Sequence, residues 1–201
     1  MTEPLVQIVD AALASATLRS GPHLVCRPGC TQCCHGVFPI SQEDAHRLRE
    51  GLAALAQSDP AKLLRIQQRT AESLARLTPL FPGDTLTGIL AEDYESSPLF
   101  ADEDSIGDTE PCPALDPTTG TCDLYEHRPI VCRTFGPPMR TPEGNLATCE
   151  LCYTHATTEE IAACELNPAI PALEQQSNEA FNAAHKTHGE SIVAFALHTL
   201  T

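Results

Sequence analysis

Cys26-Arg27-Pro28-Gly29-Cys30-Thr31-Gln32-Cys33-Cys34 gathers four thiols into nine residues, and the rest of the chain has to be read around that stretch. Thiolates repel one another and buried thiols oxidise, so a chain that collects four of them normally keeps a cation there to neutralise the charge. Pro28 and Gly29 suit a backbone that wraps tightly about one point. The adjacent pair Cys33 and Cys34 adds a constraint, because neighbouring side chains point in different directions. Two such thiols do not sit comfortably on one tetrahedral ion. Either the centre is polynuclear or one of the pair is not a ligand.

A second group follows in Pro111-Cys112-Pro113, Gly120-Thr121-Cys122 and Arg128-Pro129-Ile130-Val131-Cys132-Arg133, with the cysteines ten residues apart and turn-forming residues close by. The first group is too cramped to satisfy a tetrahedral ion, and the second offers three thiols for a site that needs four ligands. The economical expectation is that both converge, making Cys26, Cys30, Cys33, Cys34, Cys112, Cys122 and Cys132 the candidate metal ligands. Four of them suffice for a [4Fe–4S] cluster. Two zinc ions would want about eight ligands, with His35 as the eighth. Arg128 and Arg133 are expected to offset thiolate charge or to donate hydrogen bonds to sulfur from outside the ligand set. Ordinary surface ion pairs with the acidic loop are the alternative for both.

Cys149-Glu150-Leu151-Cys152, with His155 three residues on, is a weaker signal: a redox pair, part of the metal site, or a second one. Cys164 falls within an apolar helical pattern beside Ile161 and Ala163 and reads as a core residue. A disulfide scaffold is disfavoured. Met1 to Arg19 lacks a basic leader and carries Glu3 and Asp10, which points to a cytoplasmic, reducing setting for the ten cysteines. The remaining histidines show no i, i+4 pairing beside a Glu; His127, between Glu126 and Arg128, reads as solvent-facing.

Around the cysteines the pattern is helical. Leu5, Ile8, Val9, Ala12, Leu13 and Ala16 predict a helix over 4–19 that Gly21-Pro22 ends. Ser41 is a predicted N-cap, with Glu43 and Asp44 in the first turn and a stripe of Ala45, Leu48, Leu52 and Leu55. A further helix opens at Asp59-Pro60 and runs to Leu77, so the two read as an antiparallel hairpin. Helical patterns return from Thr157, from Ala169 to Lys186, and from Ile192 to Leu200. The expected fold is mainly α: one small irregular helical domain over 1–201 whose loop-rich cysteine blocks, 26–36 and 111–137, converge on a metal site.

Between Arg76 and Arg128 there is no Lys or Arg, while acidic residues crowd 92–110. This stretch reads as a solvated acidic connector, without the spacing of an EF-hand. The net charge of −15, from 27 acidic and 12 basic residues, disfavours nucleic acid and anionic lipid as partners. No apolar run approaches membrane-spanning length.

The two blocks together resemble a family. Cys30-Thr31-Gln32-Cys33-Cys34, Cys112-Pro113-Ala114-Leu115-Asp116, Gly120-Thr121-Cys122-Asp123-Leu124-Tyr125-Glu126-His127-Arg128-Pro129 and Cys132-Arg133-Thr134-Phe135-Gly136 are similar to the bacterial cysteine-cluster proteins of CxxCxxCC type, described as zinc- or iron-chelating domains. This chain departs from the usual opening, since three residues separate Cys26 from Cys30. The resemblance implies metal binding. Its distant relatives include flagellin lysine N-methylases associated with an iron–sulfur cluster, which, with the adjacent cysteines, favours an iron–sulfur cluster over zinc. An enzyme modifying a protein side chain, such as a lysine N-methyltransferase, is an alternative, against which stand the lack of a Gly-rich nucleotide loop and of any triad-like grouping. A zinc-stabilised module whose acidic face meets a protein partner is another.

Overall fold

The computed structural model describes residues 2–101, 106–141 and 144–198. Its helices, in chain order, are α1 (Thr2–Ser20), α2 (Gln42–Ser58), α3 (Pro60–Leu77), α4 (Pro98–Ala101), α5 (Ile106–Thr109), α6 (Ile130–Thr134), α7 (Thr158–Ala163), α8 (Ile170–His185) and α9 (Val193–Leu197). Short strands, β1 (Pro39–Ser41), β2 (Gly83–Asp84), β3 (Ile89–Leu90), β4 (Leu115–Asp116), β5 (Thr121–Cys122), β6 (Met139–Arg140), β7 (Leu146–Ala147) and β8 (Glu190–Ile192), pair two by two. The protein is mainly helical, as the periodicity predicts.

Helix starts follow their local chemistry. The Asp44 amide donates to Ser41 Oγ at 3.0 Å, and the Lys62 amide donates to Asp59 Oδ1 at 2.9 Å with Pro60 following, so α2 and α3 are capped where the sequence places their ends. Thr157 and Glu160 form a reciprocal capping box: the Glu160 amide donates to Thr157 Oγ1 at 3.2 Å and the Thr157 amide to Glu160 Oε2 at 2.8 Å.

The chain packs as two compact units, one of Met1–Arg27 with Ile130–Phe181 and the other of Pro28–Pro129 with Asn182–Thr201. In the first, α1 packs on α6, and Leu5, Val9 and Ala16 join Ile130, Leu166 and Ile170 in one core. The Arg19 guanidinium donates to the carbonyls of Ala163 and Glu165 at 3.1 and 2.8 Å, satisfying acceptors left open at the end of α7.

In the second unit α2 and α3 pack together and α9 lies against both. Leu48, Leu52, Ile66, Ala196 and Leu197 close the core between them. Burying each such leucine or isoleucine contributes about 2 kcal/mol. The helix expected from Ile192 begins instead as a strand. Glu190–Ile192 pairs antiparallel with Pro39–Ser41, in register Ile40 to Ser191, before the chain turns into α9. Pairing with a distant strand satisfies the backbone at Ser191 while Ile192 joins Phe81 and Phe195 in a second apolar cluster, and no local period reports that. Thr199 and Leu200, where the expectation ended, lie outside the described residues.

Within the acidic stretch Glu92, Asp93, Glu95 and Asp108 are exposed. Asp102, Glu103 and Asp104 lie outside the described residues, but Leu99 and Glu110 are buried and the segment forms α4 and α5. Glu110 accepts from Arg76 Nε and Nη2 at 2.9 and 2.7 Å. Its counter-charge comes from α3, outside the stretch, which is why a local count of basic residues misses it. His127 is half-buried, against the solvent-facing expectation: its ring lies on α2, where a Cβ at Gly51 would stand 2.8 Å from His127 Cγ.

Candidate metal centre

Local turns bring the second unit's cysteines together. A 3-10 turn over Gln32–Cys34, closed by the Cys34 amide donating to Thr31 O at 2.8 Å, presents the adjacent pair. The Cys112 amide then donates to Cys34 O at 2.8 Å, and His35 bridges to Pro111, so the backbone itself ties the two sequence blocks. Cys122 lies opposite Leu115 in the β4–β5 hairpin, whose turn carries Gly120 at φ +66°. A Cβ at Gly120 would stand 3.2 Å from Gly29 Cα and 3.4 Å from Thr31 Cγ2. Glycine here allows the hairpin tip to reach the loop that flanks Cys30.

Electrostatics shows which thiols feel one another. The Cys34 thiol hydrogen-bonds Cys33, which, with lesser help from the backbone and His35, pulls Cys33 down to about 6. Cys34 moves the opposite way, raised first by that bond, then by burial and by the charges of Cys33, Cys112 and Cys122. Burial pushes Cys112 up to about 12, with Cys122 adding to it and Arg69 opposing it. Cys122 is raised by burial first, with Arg128 pulling it down and Cys33 and Asp123 pushing it up. Cys33, Cys34, Cys112 and Cys122 thus form one group of half-buried thiols drawn from both sequence blocks.

Arg128 lies near the Cys122 thiol. It is buried, donates from Nη1 to Tyr125 O at 2.7 Å, and lies 3.8 Å above the Tyr125 ring, where it acts on Cys122. Arg133 is 1% exposed and belongs to the first unit, where its Nη1 donates to both carboxylate oxygens of Asp10 at 2.9 and 2.8 Å. His35 is exposed, with Nδ1 3.0 Å from Thr31 O, an arrangement that orients the ring and leaves Nε2 as its outward nitrogen. Cys30 is half-buried in the second unit. Cys26, Cys132, Cys149 and Cys152 all belong to the first.

Sequence reasoning missed the cations that hold this group in place. Arg69 of α3 donates from Nε to Pro113 O at 2.8 Å and from Nη2 to Asp123 Oδ2 at 2.7 Å. Those acceptors adjoin Cys112 and Cys122, so one guanidinium clamps both cysteine-bearing segments. Lys62 stands 3.5 Å from the same Asp123, and Arg76 holds Glu110 two residues before Cys112. The available signal was that Lys62, Arg69 and Arg76 recur at sevenfold spacing along one helix face.

The donor chemistry suits a thiophilic metal. The Cys33 bond and then burial raise Cys34, and burial raises Cys112 and Cys122, so a metal bound by these thiols would release their protons. Among the described residues, no three His, Cys, Asp or Glu side chains already stand close enough to share a single ion.

Fold and site together define a helical protein built about clustered thiols. The chain belongs to the CxxCxxCC family, whose model, described as "putative zinc- or iron-chelating domain", matches residues 25–184. No curated protein and no solved structure matches it. Among the described residues, no helix is long and apolar enough to cross a membrane.

Proposed function

We propose that the second unit carries a cysteine-ligated iron–sulfur centre, with Cys33, Cys34, Cys112 and Cys122 as its ligands and Cys30 as a neighbouring thiol. The observation that carries this is the place of the vicinal pair. Both Cys33 and Cys34 interact with each other and belong to one group with Cys122, and Cys34 also with Cys112. Vicinal thiolates strain a single tetrahedral ion, whereas a cluster offers each of them its own iron. When bound, such a cluster supplies one-electron redox chemistry.

The chain's own residues supply the setting. Partial burial limits water at the sulfurs, Arg128 and Arg69 offset thiolate charge at Cys122 and Cys112, and the Arg69 clamp holds the two segments in register. Anaerobic purification followed by iron, acid-labile sulfide and visible absorption measurements tests the reading. Iron with matching sulfide and a broad charge-transfer band, lost in Cys33→Ser and Cys112→Ser, is the expected result. Colourless protein with stoichiometric zinc at these residues would refute it.

A further inference from the structure

Cys26 and Cys152 are 126 residues apart in sequence, yet within the first unit their sulfurs stand 3.9 Å from each other. Cys26 is exposed, whereas Cys152 is only 3% exposed. Sequence position had set Cys152 with Cys149, three residues back; the fold adds a neighbour from the far end of the unit. We propose that Cys26 and Cys152 are a reversible dithiol–disulfide pair, in which Cys26 meets a low-molecular-weight disulfide and Cys152 closes the bond.

The backbone holds the two thiols side by side without joining them. The Cys152 amide donates to Cys149 O at 2.9 Å and fixes the turn that carries Cys152. Tyr153, the next residue, lies at φ +57°, in the left-handed region that a buried aromatic rarely adopts. Two contacts to the segment before Cys26 keep it there: its amide donates to His23 O at 2.9 Å, and its ring stacks on His23 with centroids 5.9 Å apart. The Tyr153 hydroxyl also bonds Ser20 Oγ. A disulfide needs its sulfurs about 2.05 Å apart, so bond formation must shorten the contact by about 1.9 Å. The stretch 24–27 can supply that movement, since it is irregular and Val25, Cys26 and Arg27 are exposed. On its other flank Gly136, at φ +117°, leaves the Cys26 sulfur clear; a Cβ there would press on it at 3.1 Å.

The unequal exposure sets the order of events. Cys149, Cys152 and Cys164, at 6%, 3% and 4% exposed, are closed to a bulky reagent, and Cys26 is open to it. In the first step the Cys26 thiolate attacks one sulfur of the small disulfide. A mixed disulfide forms on Cys26, and the leaving thiolate takes up the proton that Cys26 gave. In the second step the Cys152 thiolate attacks the Cys26 sulfur and expels the remaining small thiol, which carries off the Cys152 proton. Two protein thiols are thereby oxidised and one small disulfide is reduced to two thiols. Excess small thiol runs the same steps backwards.

The test starts from the full chain, reduced and then freed of reductant, with oxidised glutathione as the probe. After quenching with an alkylating reagent, proteolysis and mass spectrometry are expected to find Cys26 joined to Cys152, and added dithiothreitol should restore both thiols. Cys152→Ser should stop the reaction at its first step, leaving one glutathione on Cys26. Cys26→Ser removes the entry point, so Cys152 should remain a thiol at times when the parent is fully linked. Cys149→Ser should leave the link intact. A parent chain with no Cys26–Cys152 link, a Cys149–Cys152 link in its place, or loss of the Cys152 thiol at the parent's rate in Cys26→Ser would each overturn the proposal. Should a variant fail to fold, the parent result alone decides. Iron and sulfide in the second unit are measured on the untreated chain, so the two readings can fail separately.

Discussion

Replacing Arg69 with alanine removes the clamp between the two cysteine-bearing segments of the second unit, and its cost follows from what the side chain holds. Asp123, whose side chain is 5% exposed, loses a charged hydrogen bond of 2.7 Å. Such a bond contributes about 1.5–3 kcal/mol, and the Pro113 carbonyl loses a donor worth about 1 kcal/mol more. Lys62, at 3.5 Å from Asp123 and one-third exposed, remains and returns part of the charge pairing, screened by solvent. The net loss is about 2–3 kcal/mol. With a urea slope of about 2 kcal/mol/M for a chain of this size, the unfolding midpoint should fall by about 1–1.5 M. Because Arg69 positions the segments of Cys112 and Cys122, metal affinity measured by chelator competition should fall about tenfold as well. Arg69→Lys keeps a charge without the two-pronged reach, so it should recover part of the stability and little of the affinity. A midpoint within about 0.3 M of the parent in the alanine variant, with metal affinity unaltered, would refute the clamp.

Gly120→Ala should destabilise the second unit by about 1–2 kcal/mol in urea titration, since the position needs positive φ and the added Cβ meets Gly29 Cα at 3.2 Å. Thr70→Val is expected to leave stability unchanged or raise it by up to about 1 kcal/mol, because the buried Thr70 hydroxyl has no hydrogen-bond partner among the described residues; a clear drop in the urea midpoint would show that the hydroxyl is satisfied in solution. Thr157→Ala removes the side-chain half of the capping box, the bond from the Glu160 amide to Thr157 Oγ1, and should cost about 1 kcal/mol and fray α7, read as faster amide exchange at 158–163. Anaerobic chelation of the native protein should accelerate amide exchange around Cys112 and Cys122, as expected where metal binding contributes folding energy; unchanged protection there would argue that those thiols hold no ion.

Much of this was available from short-range chemistry. Ser41, Asp59 and Thr157 start helices because each offers an oxygen to an amide three residues on, and Leu48, Leu52, Ile66 and Leu74 mark buried faces by spacing alone. The cysteine motifs, and the family they signal, were equally plain from residue type and order. What could not be read was anything settled by chain crossings. The strand pairing of Ile192, the burial of Glu110 against Arg76 and the packing of His127 on Gly51 all join residues more than thirty apart.

The partition of the thiols is the clearest instance. By itself, the sequence determined that this is a helical, cysteine-clustered member of a zinc- or iron-chelating family, because capping, periodicity and motif spacing are properties of contiguous residues. Only the tertiary structure decided which sulfurs are neighbours. It ties the Cys34 and Cys112 segments by a backbone hydrogen bond of 2.8 Å and sets Cys26 Sγ 3.9 Å from Cys152 Sγ. The physical reason is that a ligand set is defined by distances of a few ångströms between side chains, and those distances depend on how remote segments pack.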